Sequence, residues 1–234
     1  MSLRFGIAVF PGTWSDRDCA HAVELTGAEA VSLWHADADV KGCDVVVLPG
    51  GFAYGDYLRT GAIARFAPLM EAVREHARQG GLVLGICNGF QILCEAGMLP
   101  GALLRNASLQ FRCQPCGLRV ETTSSPFLGC AQRGQVLRIP VSHGEGRFYA
   151  DEETMARLNG EGRVAFRYSD ESGQPTSAAN PNGSLENVAG ILNEAGNVLG
   201  MMPHPERACE ELLGSDQGLL LFRPVIGQLA RPAG

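Results

Sequence analysis

In the run "LVLGICNGFQIL" a cysteine, Cys87, stands where an apolar stretch gives way to a helical pattern, with Gly85 and Gly89 two residues to either side. The spacing G-x-C-x-G is the thiol form of a nucleophile elbow, a strand-to-helix corner too tight for side chains at its flanks. A sulfur on that corner sits at a helix N-terminus, whose partial positive charge favours thiolate over thiol. Structural cysteines instead lie within elements and pack as small, inert hydrophobes. Cys19, Cys43, Cys94, Cys130 and Cys209 read that way; Cys87 reads as a nucleophile.

A thiol nucleophile needs an imidazole, and the imidazole needs a group to orient it. Of the five histidines, His21 and His76 fall on helical patterns among charged residues and read as solvated, and His35 follows a strand end. His143 and His204 are in more unusual company, and His204 is the candidate base. In "GMMPHPER" it lies between two prolines, just past an apolar strand, with Glu206 two residues on. The prolines stiffen the segment, and an i, i+2 spacing in extended chain puts both side chains on one side. The expected triad is Cys87, His204 and Glu206. For the oxyanion of an acyl transfer, the N–H of Asn88, next after the nucleophile, is the natural donor. Gly51, in the Pro-Gly-Gly that closes another strand, is the second candidate.

The elements that must position these groups follow from hydrophobic period. Strands are expected at 4–10, 29–34, 44–48 and 82–86, with helices from Ser15 to near Gly27, over 63–77 and over 89–96. Strand and helix alternating at this interval predict a doubly wound, mostly parallel α/β sheet with helices on both faces and the elbow at a strand's carboxyl end. Further strands are expected near 117–121, 135–142 and 163–168, with a hairpin across Gly196-Asn197 and a long polar loop over 169–187. No linker or repeat interrupts the 234 residues, so one domain over 1–234 is expected.

Composition narrows the class. A net charge of −6, with Lys41 the only lysine, argues against nucleic acid as a partner. No apolar run approaches the ~18 residues of a membrane span, and the N-terminal run is interrupted by Arg4, so a cytoplasmic location and no membrane contact are expected. Cys113 and Cys116 form a C-x-x-C without a second ligand pair; no zinc site is expected, and the segment reads as a strand bent at Pro115.

With these pieces placed, the sequence resembles the class I (triad) glutamine amidotransferases. It carries their G-x-C-x-G elbow, Pro-Gly-Gly loop and His-Pro-Glu. Within the class, "LPGGFAYGDYLRTGAIA", "SHGEGR" and "NPNGS" are similar to the glutaminase subunits of phosphoribosylformylglycinamidine synthases, in purine biosynthesis. The resemblance implies that Cys87 attacks the side-chain amide of L-glutamine, leaving a thioester and ammonia. It implies that His204 protonates the leaving nitrogen and then activates water, oriented by Glu206, with Gly51 and Asn88 on the oxyanion. It further implies substrate contacts from Gln91, His143 and Gly144. The chain has no phosphate-cradling G-x-x-x-x-G-K-[ST]. No cofactor is therefore expected here. The resemblance implies that ATP and magnesium are bound by a separate large synthetase partner, with a small bridging protein as the candidate third member. One departure stands out: Trp14-Ser15 replaces the Asn-Cys usual after Phe-Pro-Gly, which puts local contacts in question but no catalytic role. Two rival readings are a stand-alone cysteine hydrolase, which commonly has histidine where Asn88 is, and a binding module that has lost a triad member.

Overall fold

The computed structural model describes residues 2–223. The elements in chain order are β1 (Arg4–Val9), α1 (Asp16–Leu25), β2 (Glu29–Trp34), β3 (Val45–Leu48), α2 (Pro68–Arg78), β4 (Leu82–Ile86) and α3 (Asn88–Glu95). They continue with β5 (Ala102–Leu104), β6 (Arg112–Val120), β7 (Val136–His143), β8 (Arg147–Tyr149), α4 (Glu152–Gly160), β9 (Val164–Ser169), β10 (Val188–Leu192) and β11 (Val198–Met201). Nine strands form one sheet in the order β2-β1-β3-β4-β11-β10-β9-β6-β7. From β2 to β11 every neighbour is parallel. From β11 to β7 every neighbour is antiparallel. The doubly wound α/β unit is thus extended by an antiparallel wing.

The central strands β3, β4, β10 and β11 are buried at every residue, as strands covered on both faces must be. The consequence for function lies in the order β3-β4-β11. Adjacent parallel strands end side by side, and the registers pair Leu48 with Gly85 and Ile86 with Met201. The residues just past these ends are Gly50-Gly51, Cys87 and His204, so topology gathers three segments far apart in sequence. The antiparallel wing curls until its edge strand β7 meets the segment after β11: the His204 N–H donates to the Pro140 carbonyl at 2.8 Å.

Several expectations are corrected. The helix read over 63–77 begins at Pro68, after a short 3₁₀ turn at Ala64–Phe66. The apolar period runs on through Phe66, but Pro68 fixes the first helical residue and Phe66 is left exposed. β6 includes the segment around Cys113 read as strand, but in place of a bend it keeps unbroken register through Pro115, which faces Pro140 on edge strand β7; β9 pairs only from Gly117 onward, so neither proline leaves a ladder bond unmade. His76 is not solvated: its half-buried ring packs where a side chain at Gly81 would be, and burial lowers its pKa.

Candidate active site

Cys87 is the first non-helical residue before α3, at φ 51° and ψ −106°. That left-handed backbone is strained for a residue with a Cβ, a strain that persists only where the surroundings enforce it. They do so through the two glycines. A Cβ at Gly85 would lie 2.8 Å from the Gly89 carbonyl, and one at Gly89 would overlap the Leu48 carbonyl of β3. The Cys87 N–H is held by the Met201 carbonyl at 2.8 Å. Its Sγ lies 3.7 Å from the Ser142 carbonyl and lines a cavity of about 200 Å³. Larger grooves beside α2 and α4 contain no cysteine or histidine in their walls.

His204 and Glu206 are buried together, with His204 Nδ1 2.6 Å from Glu206 Oε1. A carboxylate accepts only, so Nδ1 carries the proton in this bond and Nε2 is turned elsewhere. Nε2 has no hydrogen-bond partner among the described residues. Burial disfavours the imidazolium, but the Glu206 carboxylate and then the Cys87 sulfur outweigh it, raising the His204 pKa to about 10. The His204 ring has space because of Gly50, where a Cβ would lie 2.6 Å from His204 Cε1.

Gly51 sits at φ 152° in a bridge to Thr13, with Phe52 N–H bonded to the Gly12 carbonyl and Trp14 N–H to the Gly50 carbonyl. That pairing leaves the Gly51 N–H without an acceptor among the described residues, as is the Asn88 N–H at the start of α3. Backbone donors of this kind can receive developing negative charge. A Cβ at Gly51 would lie 2.7 Å from the Trp14 nitrogen. The departing Trp14-Ser15 segment is therefore part of the pocket's support: Trp14 stacks on Phe52 at 6.3 Å, and buried Ser15 Oγ accepts from Arg207 at 3.3 Å.

Gln91, His143 and Gly144 all line the cavity. The Gln91 amide is engaged at both ends, accepting from Asn88 Nδ2 at 2.9 Å and donating to the Glu145 carbonyl at 2.6 Å. His143 is buried, and its Nε2 accepts from Asn182 Nδ2 at 3.0 Å. Burial first, then the charge of His204, lowers its pKa to about 3, so it is neutral. Sequence reasoning missed what holds this wall. Asn106 and Asn182, both buried, clasp it: Asn106 donates to the His143 carbonyl and accepts from Gly146 N–H, while Asn182 donates to the Gly146 carbonyl. Asn182 belongs to the quoted Pro-Asn-Gly-Ser, so a signal was present; Asn106 had none. The long loop 170–187 is therefore anchored rather than simply a surface excursion.

A thiol aimed into a small pocket beside an imidazole with a charged brace is built for acyl transfer, and the chain's relatives give the acyl group. Over residues 2–217 it matches the CobB/CobQ-like glutamine amidotransferase domain, and it belongs to that family. Within the family it is 54% identical to phosphoribosylformylglycinamidine synthase subunit PurQ of Salinibacter ruber over 98% of both chains. It is 56% identical to the protein of the same name from Moorella thermoacetica, over 96% of this chain and 95% of that one. Among solved structures, PurLQS from Thermotoga maritima contains a chain with TM-score 0.86 and 41% identity, covering 98% of this chain and 100% of that one. A glutamine amidotransferase from Thermotoga maritima shares the fold at TM-score 0.56 and 16% identity, over 89% of this chain and 78% of that one.

Proposed function

We propose that this chain is the glutamine-hydrolysing subunit of a phosphoribosylformylglycinamidine synthase. The observation that carries the proposal is the convergence of Cys87, His204 and Glu206 at two adjacent strand ends within a chain that matches PurQ proteins over 96–98% of its length. Cys87 adds to the γ-carboxamide carbon of L-glutamine, and the oxyanion settles against the N–H groups of Gly51 and Asn88. His204, charged and braced by Glu206, passes a proton to the departing nitrogen. Ammonia leaves and a γ-glutamyl thioester remains. The imidazole, now neutral, takes a proton from water, and the hydroxide releases glutamate. Gln91, His143 and Gly144 shape the wall along which the substrate lies.

The ammonia serves a second chain, which uses ATP and magnesium to activate the amide oxygen of formylglycinamide ribonucleotide. The name PurLQS of the Thermotoga maritima structure joins PurQ with PurL and PurS, which supports two partners, a large synthetase and a small bridging protein. Residues 1–234 act as one glutaminase unit. No helix among the described residues is long and apolar enough to cross a membrane, which is compatible with action in the cytoplasm.

The test is glutamine hydrolysis by the purified chain with and without the synthetase. Ammonia release that increases with the partner and disappears in Cys87→Ala is the expected result. Unchanged turnover in Cys87→Ala would remove the nucleophile from the scheme, and stimulation only by a synthetase of another pathway would remove the assigned acceptor.

A further inference from the structure

The cavity has an acidic end that the triad does not use. Asp56 and Glu145 both line it. The Glu145 carboxylate has a cation within reach, Arg105 at 3.5 Å. Asp56 has none among the described residues. Its one hydrogen bond is a long one, 3.4 Å from Asn88 Nδ2, and that amide nitrogen already donates to Gln91 at 2.9 Å. Partial burial and then the charge of Glu145 raise the Asp56 pKa to about 6, with Asn88 opposing. A part-buried carboxylate near a second carboxylate, with no cation of its own among the described residues, is an unfavourable arrangement for an empty pocket. A cation arriving with the substrate relieves it.

L-Glutamine brings such a cation. Its α-ammonium lies at the end of the molecule opposite the amide that Cys87 attacks. We infer that Asp56, assisted by Glu145, receives the α-ammonium of glutamine and is the specificity-determining residue for an amino-acid amide over a simple amide. The inference rests on the glutaminase reading above. Asn88 ties the two ends of the pocket together: its N–H faces the oxyanion position, its Nδ2 reaches Asp56, and its Oδ1 accepts from Ala53 N–H at 3.0 Å in the same loop. An ammonium bound at Asp56 therefore bears on the residue that also holds the elbow.

A purely structural Asp56 would brace the 53–58 loop and affect all substrates alike. The experiment separates the two roles by comparing kcat/KM for L-glutamine and for 4-carbamoylbutanoate, which has hydrogen in place of the amino group. Wild type, Asp56→Asn and Asp56→Glu are each assayed together with the synthetase. A site that pairs a buried polar group with its substrate rejects the analogue lacking the partner strongly, so wild type is expected to favour glutamine by ~10²-fold or more. Asp56→Asn is expected to lose at least ~10-fold of that preference, through KM for glutamine, with the analogue unaffected and Asp56→Glu partly restored. Equal losses for both substrates in Asp56→Asn, or no loss of preference, would overturn the assignment, as would a wild type that uses both equally. A wild type that hydrolyses neither would defeat the glutaminase reading itself, and this inference with it.

Discussion

At the scale of single residues, the pocket holds two buried imidazoles in opposite charge states. His204 is raised by Glu206 and Cys87 against its burial. His143, a short way off, is buried without a carboxylate, accepts from Asn182 and is pushed down to about 3 from 6.5. The signs of their linkage to stability differ. For His143 the unfolded chain binds the proton that the folded one refuses, so its contribution is complete above pH 6.5 and is lost as pH falls toward 3. At about 1.4 kcal/mol per pKa unit, the loss is on the order of 5 kcal/mol at the acid end. His204 works the other way, contributing fully below pH 6.5 and losing its share as pH rises through about 10. His143→Gln keeps an acceptor for Asn182 and cannot be protonated. Urea unfolding of wild type and variant is therefore expected to diverge between pH 6.5 and 4, with the wild type falling more steeply by up to one proton's worth of slope. Comparison of the two cancels the opposing effect of Asp56, whose raised pKa favours the fold at low pH. Parallel curves across that range would show His143 protonated in the native state.

At the scale of elements, chemistry depends on how closely loops at strand ends approach one another. Gly50 illustrates this: a Cβ there would displace the His204 ring, although the backbone at Gly50 has no left-handed φ that would bar alanine. Gly50→Ala is expected to fold, with a thermal midpoint within a few degrees of wild type, and to lose about 10²-fold in kcat, since catalytic geometry displaced by an ångström costs that much. A midpoint that collapses along with activity would mean Gly50 serves the fold instead. The elbow and the His-Pro-Glu were legible because their constraints are local: glycines beside a cysteine and prolines beside a histidine each fix a backbone within a few residues. Strand positions were legible for the same reason, since β3 and β4 are short apolar runs bounded by Gly and Pro. The start of α2 was misread because period extends past a proline that backbone geometry does not permit. α4, capped by the Asp151 side chain accepting from Thr154 N–H at 2.7 Å, and the pair β5–β8 were not read at all. Asp56 and Asn182 lie in runs whose similarity to the family was legible, but not their contacts; Asn106 was invisible altogether, because its partners lie 37 and 40 residues away and no local pattern announces a contact made only by the tertiary fold.

At the scale of the whole molecule, the site opens beneath an apolar rim that a free-standing hydrolase would have little reason to keep. Phe52 and Phe111 line the cavity and are about half exposed. Trp14, stacked on Phe52, is 63% exposed, and Tyr57 and Leu58, just past Asp56, are 75% and 91% exposed. Apolar side chains clustered around a site and left in water mark a surface covered by another protein. For a chain whose product is ammonia, the expected cover is the synthetase, because ammonia released into open solvent is protonated and lost. Leu58 offers the cleanest probe. It adopts φ 70°, a conformation aspartate tolerates better than leucine, so Leu58→Asp should fold at least as well as wild type. A charge placed in an interface core is expected to cost about 2 kcal/mol or more of association, roughly a 30-fold rise in Kd for the synthetase. Hydrolysis by the free chain should be unchanged, and only the stimulation by partner should shift to higher partner concentration. If sedimentation showed the variant binding the synthetase as tightly as wild type, the rim would lie outside the contact and the ammonia would have to leave by another face.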